Sequence, residues 1–125
     1  MTSTDDQRVA VGTSPASGIG RATALLFARE GAALMIGDIN KEGGRQTAAD
    51  IVAAGGRAWF TDCDVTEARS VENIMRVAAE TMGGIDIVIN NAGAQRSGRV
   101  TEFSDEEWDL LMRVNPRSCF LGVKY

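Results

Sequence analysis

The chain has 125 residues, 44% of them hydrophobic and 24% charged, with a formal net charge of −4. A polypeptide of this size buries roughly two-thirds of the surface its unfolded form exposes, so one domain with a genuine core is expected. The acidic balance without a Lys/Arg cluster excludes a phosphate-neutralising nucleic-acid surface, and the lack of histidine excludes Ser-His-Asp and Cys-His nucleophile systems and His-ligated zinc.

The first residues, MTSTDDQ, hold neither a basic start nor an apolar run, and no stretch approaches the ~18 apolar residues of a membrane span. Residues 1–7 therefore read as a flexible N-terminus ahead of a cytoplasmic domain over 8–125 that has no membrane partner. Cys63 and Cys119 show no metal-like spacing and read as reduced thiols.

Along the chain, short apolar runs alternate with helical patterns. Residues 8–13, 33–38, 58–62 and 85–90 are the predicted strands, and near-continuous hydrophobicity such as Ile87-Val88-Ile89 suits parallel strands covered on both faces. That alternation predicts right-handed βαβ crossovers and a doubly wound α/β sheet of the Rossmann type. The Gly55-Gly56 and Gly83-Gly84 pairs fall where helices end before strands. Val71, Ile74, Met75, Ala78, Ala79 and Met82 recur at helical spacing, with Thr66 placed to cap their helix. Ser104-Asp105-Glu106-Glu107 has the form of a capping box ahead of Trp108, Leu111, Met112 and Asn115 on one face.

Residues 9–21, VAVGTSPASGIGR, run from the first strand into a helix through a turn of small residues. Such a turn presents backbone N–H groups to a pyrophosphate, aided by the positive end of the helix dipole. Gly18 lets the backbone approach the phosphates and Gly20 lets the helix pack on the sheet. Asp38 ends the second strand, 18 residues after Gly20. A carboxylate there accepts hydrogen bonds from both ribose hydroxyls of an adenosine and repels a 2′-phosphate, which favours NAD over NADP. Lys41 and Arg45 lie near enough in sequence to soften that preference.

These segments resemble the short-chain dehydrogenase/reductase family over essentially the whole chain. Residues 13–20, TSPASGIG, are similar to its Thr-Gly-x-x-x-Gly-Ile-Gly turn, Asp64-Val65 to its Asp-Val, and Asn90-Asn91-Ala92-Gly93 to its Asn-Asn-Ala-Gly. The resemblance implies the nucleotide-binding half of an oxidoreductase that moves hydride between nicotinamide and an alcohol or ketone, with strands in the order 3-2-1-4. It implies that Asp64 and the Val65 backbone hold the adenine, that Asn90, Ala92 and Gly93 pass close to the ribose, and that Ser14, Ser17, Ile19 and Ile39 complete the cofactor contacts. It further implies that Asn115 supports a proton relay, with residues 95–97 at the edge of a small-molecule substrate pocket.

Three departures qualify the resemblance. The family's reactive Tyr-x-x-x-Lys is absent, since the only tyrosine is Tyr125; the sequence reads as cut before its catalytic half and this chain alone as inactive. Ser14 replaces the first glycine of the turn, at a cost on the order of 1 kcal/mol if φ is positive there, and Pro15 follows it. Pro116 restricts the backbone of Asn115 away from the right-handed helical region, which displaces the relay position. A bare fourth strand at the sheet edge predicts self-association or aggregation. Two other readings compete: a non-catalytic nucleotide-binding or regulatory fragment, and a receiver-like domain using Asp62 or Asp64 as phosphoacceptor. The latter lacks an acidic pair after the first strand.

Overall fold

The computed structural model of the protein describes residues 7–14, 18–93 and 97–125. Four parallel strands, β1 (Val9–Thr13), β2 (Ala33–Asp38), β3 (Arg57–Asp62) and β4 (Ile87–Ile89), lie in the order β3-β2-β1-β4. The order reverses between β1 and β4, and the crevice beyond the carboxyl ends of the strands at such a switch point is the binding position of open α/β sheets.

Side chains alternate across the sheet, but both faces are covered, so the strands read as continuous apolar runs. Ala10, Leu34 and Ile36 face α1 (Gly18–Arg29) and α2 (Lys41–Ala53), meeting Ala24, Ala48 and Ile51. Val11 and Met35 face the other way, onto Val71, Ile74, Met75 and Ala78 of α3 (Ala68–Met82) and Leu121 of α5 (Ser118–Lys124). Leu34, Met35, Ile36, Ile51 and Ile74 are all fully buried, each worth about 1.5–3 kcal/mol of hydrophobic stabilisation.

Several elements differ from their sequence-based bounds. β4 spans three residues rather than six, because its entry is held by a side chain: the Val9 N–H donates to Asp86 Oδ2 at 2.8 Å while the Asp86 N–H donates to Val9 O at 2.9 Å. Thr66 does not cap α3. Its N–H and its hydroxyl both donate to Asp64 Oδ1, at 2.9 and 2.6 Å, and the helix begins beyond Glu67 without a side-chain cap. Gly83 ends that helix at φ +83°. The capping box of Ser104 and Glu107 forms with both bonds in place and starts α4 (Asp105–Met112).

The chain stays helical through Pro116. Residues Arg113–Arg117 form one π-turn between α4 and α5, so Asn115 is not expelled from the helical region as expected. The wider turn inserts a residue where the proline ring and its missing N–H would break an α-helix. The Ser118 hydroxyl donates to the Val114 carbonyl and, at 2.9 Å, to that of Asn115, satisfying groups the turn frees. The face of α4 is also rotated from expectation: Leu111, Val114 and Asn115 are partly covered, whereas Trp108 and Met112 are exposed. Residues 1–6 of the expected flexible terminus lie outside the described residues. Gln7 donates to the Gly31 carbonyl at 2.9 Å and accepts from Arg57.

Candidate functional site

Ser14 leaves β1 at φ +59°, and its N–H still donates to Gly37 O at 2.8 Å. It is the only non-glycine with positive φ among the described residues. The chain therefore makes the left-handed turn that a glycine would make at less cost. Gly18 opens α1 at φ +59°, with nothing within 4 Å of where a Cβ would stand. That open face leaves room for a ligand to reach the backbone at the positive end of the helix. Ile19 is exposed on the first turn and Gly20 is buried against the sheet. Ser17 and Pro15, with Gln95 and Arg96 of the expected substrate edge, lie outside the described residues.

The ends of β1 and β4 are tied by one hydroxyl. Thr13 Oγ1 accepts the N–H groups of Asn91 and Ala92, both at 3.2 Å, and donates to Ile89 O. The Asn91 amide adds a bond to Ser14 O at 3.2 Å. Thr13 and Asn91, which are not among the expected cofactor contacts, thereby set the distance between the small-residue turn and residues 91–93. The signal for Thr13 is a polar residue at the end of a buried strand.

At the end of β2, Asp38 is only 5% exposed, and its Oδ1 accepts the Asn40 N–H at 2.9 Å. Asn40 in turn caps α2, its side chain accepting from the Gly43 N–H at 3.0 Å. After β3, Asp64 folds into a local turn with Thr66, and its own N–H donates to Ser70 Oγ at 2.9 Å. Burial of the neighbouring Cys63 pushes its thiol up to about 11, so it stands in the wall as a neutral group.

These loops enclose a cavity of about 310 Å³ at the carboxyl end of the sheet, lined by Ser14, Asp38, Ile39, Cys63, Asp64, Val65, Thr66, Ala92, Gly93, Leu110 and Val114. Seven of the residues expected to contact a cofactor meet there: Ser14, Asp38, Ile39, Asp64, Val65, Ala92 and Gly93. Gly18, Ile19 and Gly20 stand on α1 outside its lining. Asn90 also lies outside it, its side chain turned toward α5, where a Cβ on Gly122 would come within 2.1 Å of Asn90 Oδ1. Asn115 stands behind the wall, its Oδ1 3.0 Å from where a Gly93 Cβ would be and its amide donating to Leu111 O at 3.0 Å. Arg117, unforeseen in the sequence, donates to the Thr66 carbonyl at 2.7 Å and fastens the π-turn to the loop that carries Asp64 and Val65. A larger groove of about 440 Å³ between α1 and α2 is lined by Leu25, Leu26, Ile51, Gly56 and alanines, with Arg29 as its one charged residue, and brings no set of polar groups together. The smaller cavity brings together the backbone at Ser14 and Ala92-Gly93, the buried Asp38 carboxylate and the apolar side chains Ile39, Val65, Leu110 and Val114, the mix of a few polar groups in apolar walls that small-molecule sites use.

Among the described residues, no group of three or more Cys, Asp or Glu side chains is placed to hold a metal ion, and no helix is long and apolar enough to cross a membrane.

The short chain dehydrogenase family model matches residues 8–125. The 2,5-dichloro-2,5-cyclohexadiene-1,4-diol dehydrogenase LinX of Sphingobium indicum is 44% identical over 117 residues, which are 94% of this chain and 47% of that protein. The (2S)-[(R)-hydroxy(phenyl)methyl]succinyl-CoA dehydrogenase subunit BbsD of Thauera aromatica is 39% identical over 114 residues, 91% of this chain and 46% of its own length. A short chain dehydrogenase structure from Mycobacterium smegmatis superposes with a TM-score of 0.91 at 31% identity, covering 94% of this chain and 50% of that one. The chain thus spans about half the length of the curated relatives it matches.

Proposed function

Because this chain belongs to the short-chain dehydrogenase family, we propose that its cavity binds the adenosine half of NAD as part of an oxidoreductase acting on an alcohol or ketone. The observation that carries this reading is the meeting of seven expected contact residues, including the buried Asp38 carboxylate, around one cavity at the switch point of the sheet. The open backbone at Gly18 and α1 would take the pyrophosphate, Asp38 the ribose hydroxyls, and Asp64 with Val65 the adenine. When bound, the cofactor supplies the hydride chemistry; the residues of this chain bind and orient it.

NAD is favoured over NADP because a 2′-phosphate would lie against a carboxylate that is already buried. These 125 residues contain no Tyr-x-x-x-Lys pair, so we assign this chain cofactor binding without turnover. The substrate is a small molecule, and the setting is cytoplasmic. Titrating the folded chain with NAD by calorimetry tests the reading. Saturable binding abolished in Asp38→Ala is expected, and equal binding by the two proteins would overturn the role given to Asp38.

A further inference from the structure

β3 sets a second carboxylate beside the one read as the ribose acceptor, since Asp62 is the register partner of Asp38. Asp62 Oδ2 lies 3.4 Å from Lys41 Nζ, and Lys41 is the first residue of α2, three positions after Asp38. The next cation of that helix, Arg45, is held over the Phe60 ring, its guanidinium carbon 5.5 Å from the centroid. The ring reaches that position because residue 44 is glycine; a Cβ there would come within 2.3 Å of it. The Gly43 N–H is taken by the Asn40 cap. Both cations on the opening turns of α2, and one of its free amides, are therefore committed to partners within the chain.

We propose that Asp62 is a specificity-determining residue: by holding Lys41, it denies a 2′-phosphate the nearest counter-ion and reinforces the selection of NAD that Asp38 begins. This rests on the reading of the cavity as a dinucleotide site. A phosphate dianion placed beside the Asp38 carboxylate needs a cation to offset the like charge. Lys41 stands three residues beyond Asp38 at the start of α2, within reach of such a phosphate, and among the described residues its ion pair is with Asp62. The pair is more than half exposed on both sides, so its contribution is limited to roughly two- to fivefold in affinity.

The test is a calorimetric titration of the chain with NAD and NADP as wild type, Asp62→Asn and Asp62→Asn/Lys41→Ala, at low and high salt, with folding checked by circular dichroism. The NADP-to-NAD affinity ratio is expected to rise roughly two- to fivefold in Asp62→Asn, and to return to the wild-type ratio in the double variant and at high salt. An unchanged ratio in Asp62→Asn, with NAD binding intact, would overturn the role of Asp62 and leave the cofactor site standing. A gain that survives removal of Lys41 would overturn it as well. A folded wild-type chain that binds neither nucleotide would overturn both the proposal and the site reading beneath it.

Discussion

Ser14 holds a left-handed backbone at φ +59° that costs an L-residue about 1–2 kcal/mol relative to glycine. Glycine regains that strain but adds freedom to the unfolded chain. Ser14→Gly is therefore expected to raise stability by up to about 1 kcal/mol in chemical denaturation; a clear loss would mean that the serine side chain contributes more than its strain removes. Cys63 should make stability depend on pH. Burial raises its thiol from 9.0 to about 11 in the folded state, so the folded protein keeps a proton that the unfolded chain releases. Stability is unaffected below about pH 9 and falls as pH rises toward about 11, by about 3 kcal/mol in full. A Cys63→Ala variant should show a flatter alkaline limb than wild type. Exposed Cys119 should react with a thiol reagent well before buried Cys63.

Just beyond β4, the Asn90 side chain fills the space beside Gly122 of α5. A Cβ on Gly122 would lie 2.1 Å from Asn90 Oδ1, so Gly122→Ala must displace that side chain, at a net cost of about 1 kcal/mol or less in urea denaturation once the gain in helix propensity is set against it. Adding Asn90→Ala should recover much of that loss; additive losses would show that the crowding lies elsewhere. The strands of the sheet and the helices α1 to α3 were legible because apolar period and glycine punctuation agree there. The cavity was legible where its walls are turns with a fixed chemistry, at Ser14, Asp38, Asp64 and Ala92-Gly93. Helix α5 was hidden, because Pro116 reads as a break and only the π-turn and the Ser118 hydroxyl let the helix continue. Leu110 and Val114 were hidden for a related reason: which face of α4 meets the cavity depends on how the π-turn orients it. The bond from Arg117 to the Thr66 carbonyl joins residues 51 apart in sequence, and no local pattern announces it.

Over the whole molecule, two edges of the sheet differ in their protection. At β3, Arg57 stacks on Trp59 and Arg45 on Phe60, while Lys41 pairs with Asp62, and charges of this kind blunt an edge against pairing. At β4, the short Ile87-Val88-Ile89 segment pairs on one side only, with β1. The 125-residue chain should therefore self-associate, with light scattering showing a mass above one chain that grows with concentration; a concentration-independent monomer with a sharp cooperative melt would count against an open β4 edge. Acid should loosen the other face of the molecule. The bond from Arg21 holds the Asp50 carboxyl below its usual range, so the α1–α2 tie is present above about pH 4 and is lost as pH falls through the lowered value.

On the function proposed above, the carboxyl end of the sheet receives the nucleotide and the larger groove between α1 and α2 does not. Amide chemical shifts of the isotope-labelled chain, recorded as NAD is added, test it most directly. Saturable changes are predicted at Ser14, Gly18, Asp38, Ile39, Val65, Ala92 and Gly93, with Leu25, Ile51 and Gly56 unmoved. Changes confined to the α1–α2 groove, or none at all in a folded chain, would rule out a nucleotide site at the carboxyl end of the sheet.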